Sequence, residues 1–226
     1  MGDKSNLWYF EHVDLYKVLC PHLVKADKAH NDKKVYAKGE FIYFPNQKST
    51  TIYLIANGRV KIGSYTDDGN ESVKSILGAG DIFGELALAG EEKRPDFAQV
   101  LDDSTAVCQM NIEHMHTLML KNKPLNLKIY KLIGLRLKKL ERRIESMVFK
   151  DARTRIIDFL IELAEEKGTK VGFETMIRNH YTHKDIASLT ATSRQTVTTI
   201  LNELKDKNLI NFNRRQILIR DIDQLA

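Results

Sequence analysis

The hydrophobic period of the chain changes once, and that change limits the folds open to it. From residue 35 to residue 111 the sequence consists of short segments rich in β-branched and aromatic residues, separated by Gly or Asx turns. Asn57-Gly58 and the acidic segment 67–70 are typical of hairpin turns. Short strands at regular spacing over about 80 residues predict an antiparallel sandwich or jelly-roll barrel.

A helical period follows and continues to residue 149. From Pro124, which suits the first turn of a helix, apolar side chains recur at alternating spacings of three and four residues. This row, called here the apolar seam, consists of Tyr130, Ile133, Leu137, Leu140, Ile144 and Met147. It predicts a helix that pairs with its copy in a homodimer, and parallel pairing brings Arg136 and Glu141 of opposite helices within reach. The alternative interpretation is an ordinary amphipathic core helix.

The last segment has the pattern of a small helical domain that ends in a strand pair. A helix is predicted over 153–166, a glycine-containing connection over 168–172, and two further helices near 182–190 and 193–207. The strands NLINFN and QILIRD close the chain around a turn at Asn213-Arg214-Arg215.

The two helices near 182–190 and 193–207 are short, capped and joined by a tight turn. Thr182 is expected to cap the first, with Asp185 completing a capping box, and Ser193 to cap the second. The turn is Thr190-Ala191-Thr192. The buried stripe of the second helix is Val197, Ile200, Leu201 and Leu204, which leaves Arg194, Gln195, Thr198, Thr199 and Asn202 for solvent.

This outer face suits double-stranded DNA. An arginine can fork onto guanine and a glutamine onto adenine, while hydroxyls and helix N-terminal amides hold phosphates. Between residues 178 and 220 the chain carries eight Lys or Arg against three Asp or Glu, including a basic tip at Arg214-Arg215. The predicted DNA-binding residues are Thr182, His183, Lys184, Ser193, Arg194, Gln195, Thr196, Thr199, Arg214 and Arg215. The alternative is a helix pair that serves a protein partner, in a regulatory subunit without a specific DNA target.

The stretch TSRQTVTTILNELKDKNLI resembles the recognition helix of the CRP/FNR superfamily of bacterial transcription regulators. The resemblance covers essentially the whole chain: GDIFGELAL is similar to the phosphate-binding cassette of the family, and FKDARTRI to its hinge, with Asp151 at the junction. It implies that Arg194 contacts a guanine. Gln195 stands where the family commonly has Glu, and Thr199 where its best-known members have Arg, so a shifted half-site is expected.

The fold class expected from these features is α+β. The N-terminal domain, an antiparallel β-roll or jelly-roll barrel, occupies residues 1–120 and begins with a short helical lead-in over 1–30. A long dimerisation helix occupies 121–150, and a C-terminal winged helix-turn-helix occupies 151–226. The resemblance further implies a homodimer on a palindromic operator that acts on RNA polymerase, with an effector or partner at the β-roll.

The resemblance places an effector pocket at Gly84, Glu85, Leu86, Arg94, Leu140 and Glu141. Glu85 could accept a hydrogen bond from a ribose hydroxyl. In members that bind cAMP, an Arg followed by Ser or Thr comes roughly ten residues after the cassette. Counting back from the strand STAVCQM puts Phe97 and Ala98 at that pair, with Arg94 in the preceding loop and Asp96 repelling a phosphate. The alternative is a loop insertion or deletion that brings Arg94 into the pocket.

Leu140 and Glu141 stand where the family has hydroxylic residues on the long helix, so cAMP is not expected as the effector. Another small effector, or none, are the alternatives. An iron–sulfur cluster lacks its cysteines, because the chain has only Cys20 and Cys108, and a haem at Cys20 or His22 is not expected.

An enzyme is not expected either. A cupin-type metal site needs histidines on the strands, and His114 and His116 follow the last strand instead, so no metal is predicted. No stretch of 18 apolar residues occurs, and the N-terminus lacks the order of a signal peptide. We therefore expect a cytoplasmic protein with no membrane partner. The net charge of +5 is uneven: residues 121–150 hold ten Lys or Arg against two Glu.

Overall fold

The structure is a computed structural model, and it describes residues 33–178, 181–213 and 216–225. The predicted helical lead-in, Cys20, His22, Arg214 and Arg215 lie outside the described residues. The chain divides into two compact units between Leu137 and Lys138, within one long helix.

The first unit is an antiparallel β-roll, as the strand period predicts. Among its described residues, eight strands form two four-stranded antiparallel sheets, in the orders β1-β8-β3-β6 and β2-β7-β4-β5. Their bounds are β1 Lys33–Tyr36, β2 Phe41–Tyr43, β3 Thr51–Asn57, β4 Val60–Tyr65, β5 Glu71–Leu77, β6 Ile82–Phe83, β7 Phe97–Val100 and β8 Thr105–Asn111. A 3-10 helix, Glu85–Ala89, connects β6 to the loop before β7.

Strand β3 is buried on both faces and joins the two cores of this unit. Ile55 faces the interior of the roll with Val60, Phe83 and Val107. Leu54 lies in the second core with Met115 of α1 (Ile112–Lys121) and with the start of α2 (Lys123–Phe149). This packing explains the continuous apolar run in β3, since a strand covered on both faces does not alternate with polar residues.

One of the two predicted hairpins is confirmed and the other is wrong. The segment 67–70 joins β4 to β5, which pair with each other, and Thr66 N donates to Asn70 O at 2.8 Å. Asn57-Gly58 joins β3 to β4, which belong to different sheets. Gly58 has a φ of 83°, and a Cβ there would lie 2.9 Å from Thr105 Cβ. The glycine therefore allows a change of sheet, a role that a turn sequence alone does not distinguish from a hairpin.

The second unit contains the C-terminal half of α2 and the predicted winged helix-turn-helix. Its helices are α3 Ala152–Lys167, α4 His183–Leu189 and α5 Arg194–Asp206. Its sheet has the order β11-β12-β10-β9, with β9 Thr169–Val171, β10 Glu174–Arg178, β11 Ile210–Phe212 and β12 Gln216–Ile219. Leu160, Ile186, Val197, Leu201 and Ile217 form the centre of its core.

The connection predicted over 168–172 is instead part of a hairpin. Strands β9 and β10 turn at Gly172, whose φ is 63°, and β10 pairs with the C-terminal strand β12. Thr175 and Ile177 are the buried residues of β10. Two buried positions are too few to show a strand period, and the pairing partner lies about 40 residues further along the chain, so local pattern could not reveal it. Over the described residues, no helix has the length and apolar character needed to cross a membrane.

Candidate DNA-binding surface and sensor site

The first helix of the helix-turn-helix begins with the predicted capping box. Thr182 Oγ1 accepts from Asp185 N at 3.1 Å, and Asp185 Oδ2 accepts from Thr182 N at 2.8 Å. These two bonds satisfy backbone donors that the first helical turn would otherwise leave free. Lys184 is exposed on this turn, so its charge is open to solvent.

The turn is Thr190-Ala191-Thr192, as predicted. Thr190 Oγ1 donates to Ile186 O at 2.7 Å, and Thr192 N donates to Ala187 O at 2.9 Å. Ala191 has a φ of 50°, which is rare for a residue with a side chain. Ala187 is buried at the helix crossing, where its small side chain lets α4 and α5 approach closely.

The second helix presents the predicted polar face. Ser193 Oγ accepts from Thr196 N at 3.0 Å and lies 2.8 Å from Thr196 Oγ1, so both hydroxyls contribute to the cap. The buried stripe is confirmed: Val197, Ile200, Leu201 and Leu204 all lie in the core. Arg194, Gln195, Thr199 and Asn202 are exposed. Within the described residues, the side chains of Arg194 and Gln195 make no hydrogen bond or ion pair, so both are available to a ligand.

Thr198, predicted to face solvent, is only half-exposed, because its hydroxyl is used within the unit. Its Oγ1 donates to Arg194 O at 2.9 Å and lies 2.8 Å from His183 Nδ1. The ring of His183 also lies 6.1 Å from the ring of Phe212. Burial lowers the pKa of His183, and the positive charge of Arg194 lowers it further. His183 therefore connects α4 to α5, in addition to its predicted place beside DNA.

Two arginines that sequence reasoning missed hold the far end of α4. Arg155 Nε donates to Thr190 O at 2.8 Å and Arg155 Nη2 to Ala191 O at 2.9 Å. Arg143 Nη2 donates to Ser188 O at 2.7 Å, and burial lowers the pKa of its guanidinium while Glu162 opposes that shift. Arg155 lies in the hinge-like stretch FKDARTRI. That stretch was the one local signal that could have pointed to it.

The hinge itself is an N-cap. Asp151 Oδ1 accepts from Thr154 N at 2.7 Å, and this bond lowers the pKa of the Asp151 carboxyl. Asp151 therefore lies two residues after the end of α2 and caps α3, as its place in FKDARTRI suggests.

In the first unit, the cassette and Arg94 come together. Arg94 is 3% exposed, and its Nη1 donates to Gly84 O at 3.1 Å, while its Nη2 donates to Thr51 O. Its guanidinium lies over the ring of Tyr43, 4.6 Å from the centroid, and 5.6 Å from that of Tyr53. A Cβ at Gly84 would meet Arg94 Nη1 at 2.7 Å, so glycine is what lets the arginine approach.

The assignment of Phe97 and Ala98 to the arginine position is therefore wrong. Lys48 and Lys93 form an isolated β-bridge, and Arg94 N donates to Gln47 O at 2.8 Å. These contacts fix the loop before β7 so that Arg94, ten residues after Gly84, points at the cassette.

Other residues of the roll interior fill the same region. Phe97 and Ala98 are fully buried in β7. Asp96 accepts from Tyr43 Oη at 3.2 Å and forms an ion pair with Lys74 at 3.5 Å. Burial raises the pKa of Tyr43, Asp96 raises it further, and Arg94 opposes the rise.

Glu85, the predicted ribose acceptor, is paired within the chain. Its carboxylate forms an ion pair with Arg136 of α2, which also donates to Ile82 O. Arg136 is thus engaged within this unit, and its approach to Glu141 of a second copy stays a prediction. A cyclic nucleotide would find an arginine and a glutamate, as the cassette resemblance implies. It would find Pro95, with neither hydroxyl nor N–H, where Ser or Thr is needed. These residues therefore fit a cyclic nucleotide only in part.

The remaining predicted pocket residues are exposed. Leu86 follows Glu85 on the 3-10 helix, whereas Leu140 and Glu141 lie on α2 in the second unit. Their part in an effector pocket stays a prediction. The apolar seam is exposed along its whole length, each side chain between 40% and 62%. Within the described residues, nothing covers this row, which argues against the alternative of an ordinary core helix.

The fold and the polar face of α5 define a class: a DNA-binding protein that combines a nucleotide-binding type of β-roll with a helix-turn-helix. The family models agree. Residues 33–122 match the cyclic nucleotide-binding domain, and residues 154–226 match the Crp-like helix-turn-helix domain.

Known proteins place the chain more closely. It is 26% identical over 191 residues to a CRP-like cAMP-activated global transcriptional regulator of Mycobacterium tuberculosis, covering 84% of this chain and 85% of that protein. The structure of a CooA mutant from Carboxydothermus hydrogenoformans is similar, with a TM-score of 0.77 and 27% identity over 95% of this chain and 94% of that one. FixK2 from Bradyrhizobium japonicum shares the fold, with a TM-score of 0.75 at 21% identity, over 87% and 96% of the two chains. The chain belongs to the CRP/FNR family of bacterial transcription regulators, and is a DNA-binding transcription regulator.

Proposed function

We propose that two copies of this chain bind one palindromic DNA site, with one α5 helix in each of two successive major grooves. The observation that carries the proposal is the outer face of α5. Arg194 and Gln195 are exposed, unpaired within the described residues, and held at the start of a capped helix. Such a pair suits the edges of guanine and adenine. The core of a protein interface is typically more apolar than this face.

The exposed apolar seam supports the homodimer. Its six large side chains have heptad spacing and are exposed, and the same row on a second, parallel copy would cover them. Regulators of this family are typically dimeric. Two identical heads related by a two-fold axis read inverted half-sites about one helical turn apart.

The β-roll is the proposed control point. Arg94 is already bound to the carbonyls of Gly84 and Thr51, and Glu85 to Arg136. An effector that binds Arg94 and Glu85 must therefore displace these partners. Arg94 lies at the cassette, where members of the family that bind cAMP have an arginine, so this feature of a cAMP site is present. Pro95 and Asp96 remain unlike a phosphate clamp. Another small effector, or none, thus stay the alternatives to a cyclic nucleotide.

RNA polymerase is the proposed partner once the regulator is on DNA. Two exposed turns are candidates for this contact. Asp67 and Asp68 lie at the tip of the β4–β5 hairpin, while Glu71 of that hairpin is engaged by Lys61 and is set aside. The β9–β10 hairpin carries Phe173, whose side chain is fully exposed.

The experiment that tests the proposal is selection of bound duplexes from a random DNA library. It is run without nucleotide, with cAMP and with cGMP. A dimer of this kind should enrich an inverted repeat whose half-sites lie about one helical turn apart. Enrichment of no motif, or of a single unrepeated motif, would contradict the proposal. The nucleotide arms report whether the roll responds to either ligand.

A further inference from the structure

The dimer helix carries a second row of contacts beside the apolar seam. Lys139, Arg143 and Ser146 of α2, with Lys150 directly after its last residue, are spaced four, three and four residues apart, so they continue one face of the helix. Lys139 forms ion pairs with Glu162 at 2.7 Å and Glu166 at 3.1 Å, and Lys150 forms one with Asp158 at 2.6 Å. This row, called here the polar face of α2, therefore faces α3.

Arg143 differs from the two lysines of that face in what it binds. The lysine pairs are exposed and bind carboxylates, so each adds little to holding two helices together. Arg143 is half-buried, and it donates to a backbone carbonyl, Ser188 O, near the end of α4. The C-terminal carbonyls of a helix lack intrahelical donors and carry partial negative charge, so a guanidinium suits this position.

The same helix end is held from a second direction. Arg155 of α3 donates to Thr190 O and Ala191 O, the next carbonyls along the turn. Arg155 thus fixes the turn to α3, and Arg143 fixes the end of α4 to α2. Because α4 packs directly against α5, the contact at Ser188 constrains the orientation of α5 relative to α2.

We propose that Arg143 is a positioning residue: it fixes the helix-turn-helix on the dimer helix α2 and so sets the separation of the two recognition helices. This inference rests on the proposed function, since it needs two heads on one site. It assigns Arg143 no contact with DNA. It also explains part of the positive charge on α2, which serves contacts within the chain.

The test compares full-length Arg143→Met with Arg142→Met, which removes the same charge from the adjacent, exposed position. Binding is measured to the selected palindrome and to a duplex that holds one half-site. For Arg143→Met we expect about a tenfold loss on the palindrome, through a lower effective concentration of the second head, and less than about a twofold change on the half-site. The salt dependence of half-site binding should not change, because no phosphate contact is lost. Arg142→Met should match the wild type on both duplexes.

Each other outcome overturns the inference. An equal loss on both duplexes would mean that Arg143 only shapes the head, and retained binding on both would mean that it positions nothing. The half-site duplex also reports whether the variant head is folded. A wild type that does not prefer the palindrome to the half-site would refute the proposed function itself, and the inference with it.

Discussion

Arg94 should be a major source of stability for the β-roll, and its replacement tests how the sensor is built. The side chain is 3% exposed and donates to two backbone carbonyls, those of Gly84 and Thr51. Arg94→Met keeps much of the stem volume but removes both donors. Loss of the donor to Thr51 O costs about 1–3 kcal/mol, whereas Gly84 O, which still accepts from Ala87 N at 3.3 Å, loses a hydrogen bond of about 0.5–1.5 kcal/mol. The lost contact with the ring of Tyr43 adds about 0.5–2 kcal/mol. The expected loss in the free energy of unfolding is about 3 kcal/mol, in the lower part of the summed range, since water can enter the vacated space.

The loss is measured by urea unfolding of the full chain, followed by near-ultraviolet circular dichroism. The buried tyrosines of the roll, Tyr36, Tyr43 and Tyr53, report the transition of this unit. Lys93→Met is the matched control, because it removes a cation from the adjacent exposed position. The urea concentration at the midpoint should fall for Arg94→Met, with an unchanged slope of free energy against urea, and it should not change for Lys93→Met. A loss below about 1 kcal/mol would refute the reasoning, since two lost hydrogen bonds and a lost cation–π contact should together cost more than that.

Three further predictions concern the DNA-binding unit. Arg194→Ala should weaken binding to the selected site by about 1–3 kcal/mol and relax specificity at one base pair, because the guanidinium is placed to read a base edge. Wild-type affinity and selectivity in a competition assay would mean that the register of α5 is wrong. Neutralising Arg214 and Arg215, at the predicted wing, should weaken all sequences alike and flatten the salt dependence of binding. Unchanged salt dependence would argue against phosphate contacts there. In the absence of DNA, the unit should lose stability as the pH falls below about 6.5, the usual pKa of histidine. The pKa of His183 is lowered by burial and by Arg194, so unfolded chains take up the proton first and stability is full only above that pH. His183→Gln should lose less than the wild type in thermal unfolding between about pH 7.5 and pH 5.5, and equal losses would contradict this.

The charge distribution gains a physical reason from the structure. The positive excess on residues 121–150 is large for a helix that the family does not place in a DNA groove. Several of its cations have partners in the chain: Arg136 binds Glu85, Lys139 binds Glu162 and Glu166, and Arg143 binds Ser188 O. These charges hold other elements to α2, and the acidic partners that balance them lie elsewhere in the sequence.

What the sequence determined by itself is the part of the molecule set by local rules. A strand period, an apolar seam and a capped helix pair each depend on residues within a few positions of one another. The capping box at Thr182, the cap at Ser193 and the buried stripe of α5 are confirmed for that reason. The exposure of Arg194 and Gln195 on α5 follows from the same helical geometry.

Only the tertiary structure decided which side chains meet across long separations in sequence. Arg94 reaches Gly84 and Thr51 because the bridge between Lys48 and Lys93 holds its loop. Glu85 meets Arg136 although 51 positions separate them. Such pairs leave no period in the sequence, since their geometry is fixed by packing between elements. The roll, the seam and the polar face of α5 were therefore predictable, whereas the contacts that hold the cassette and those that anchor the end of α4 required the fold.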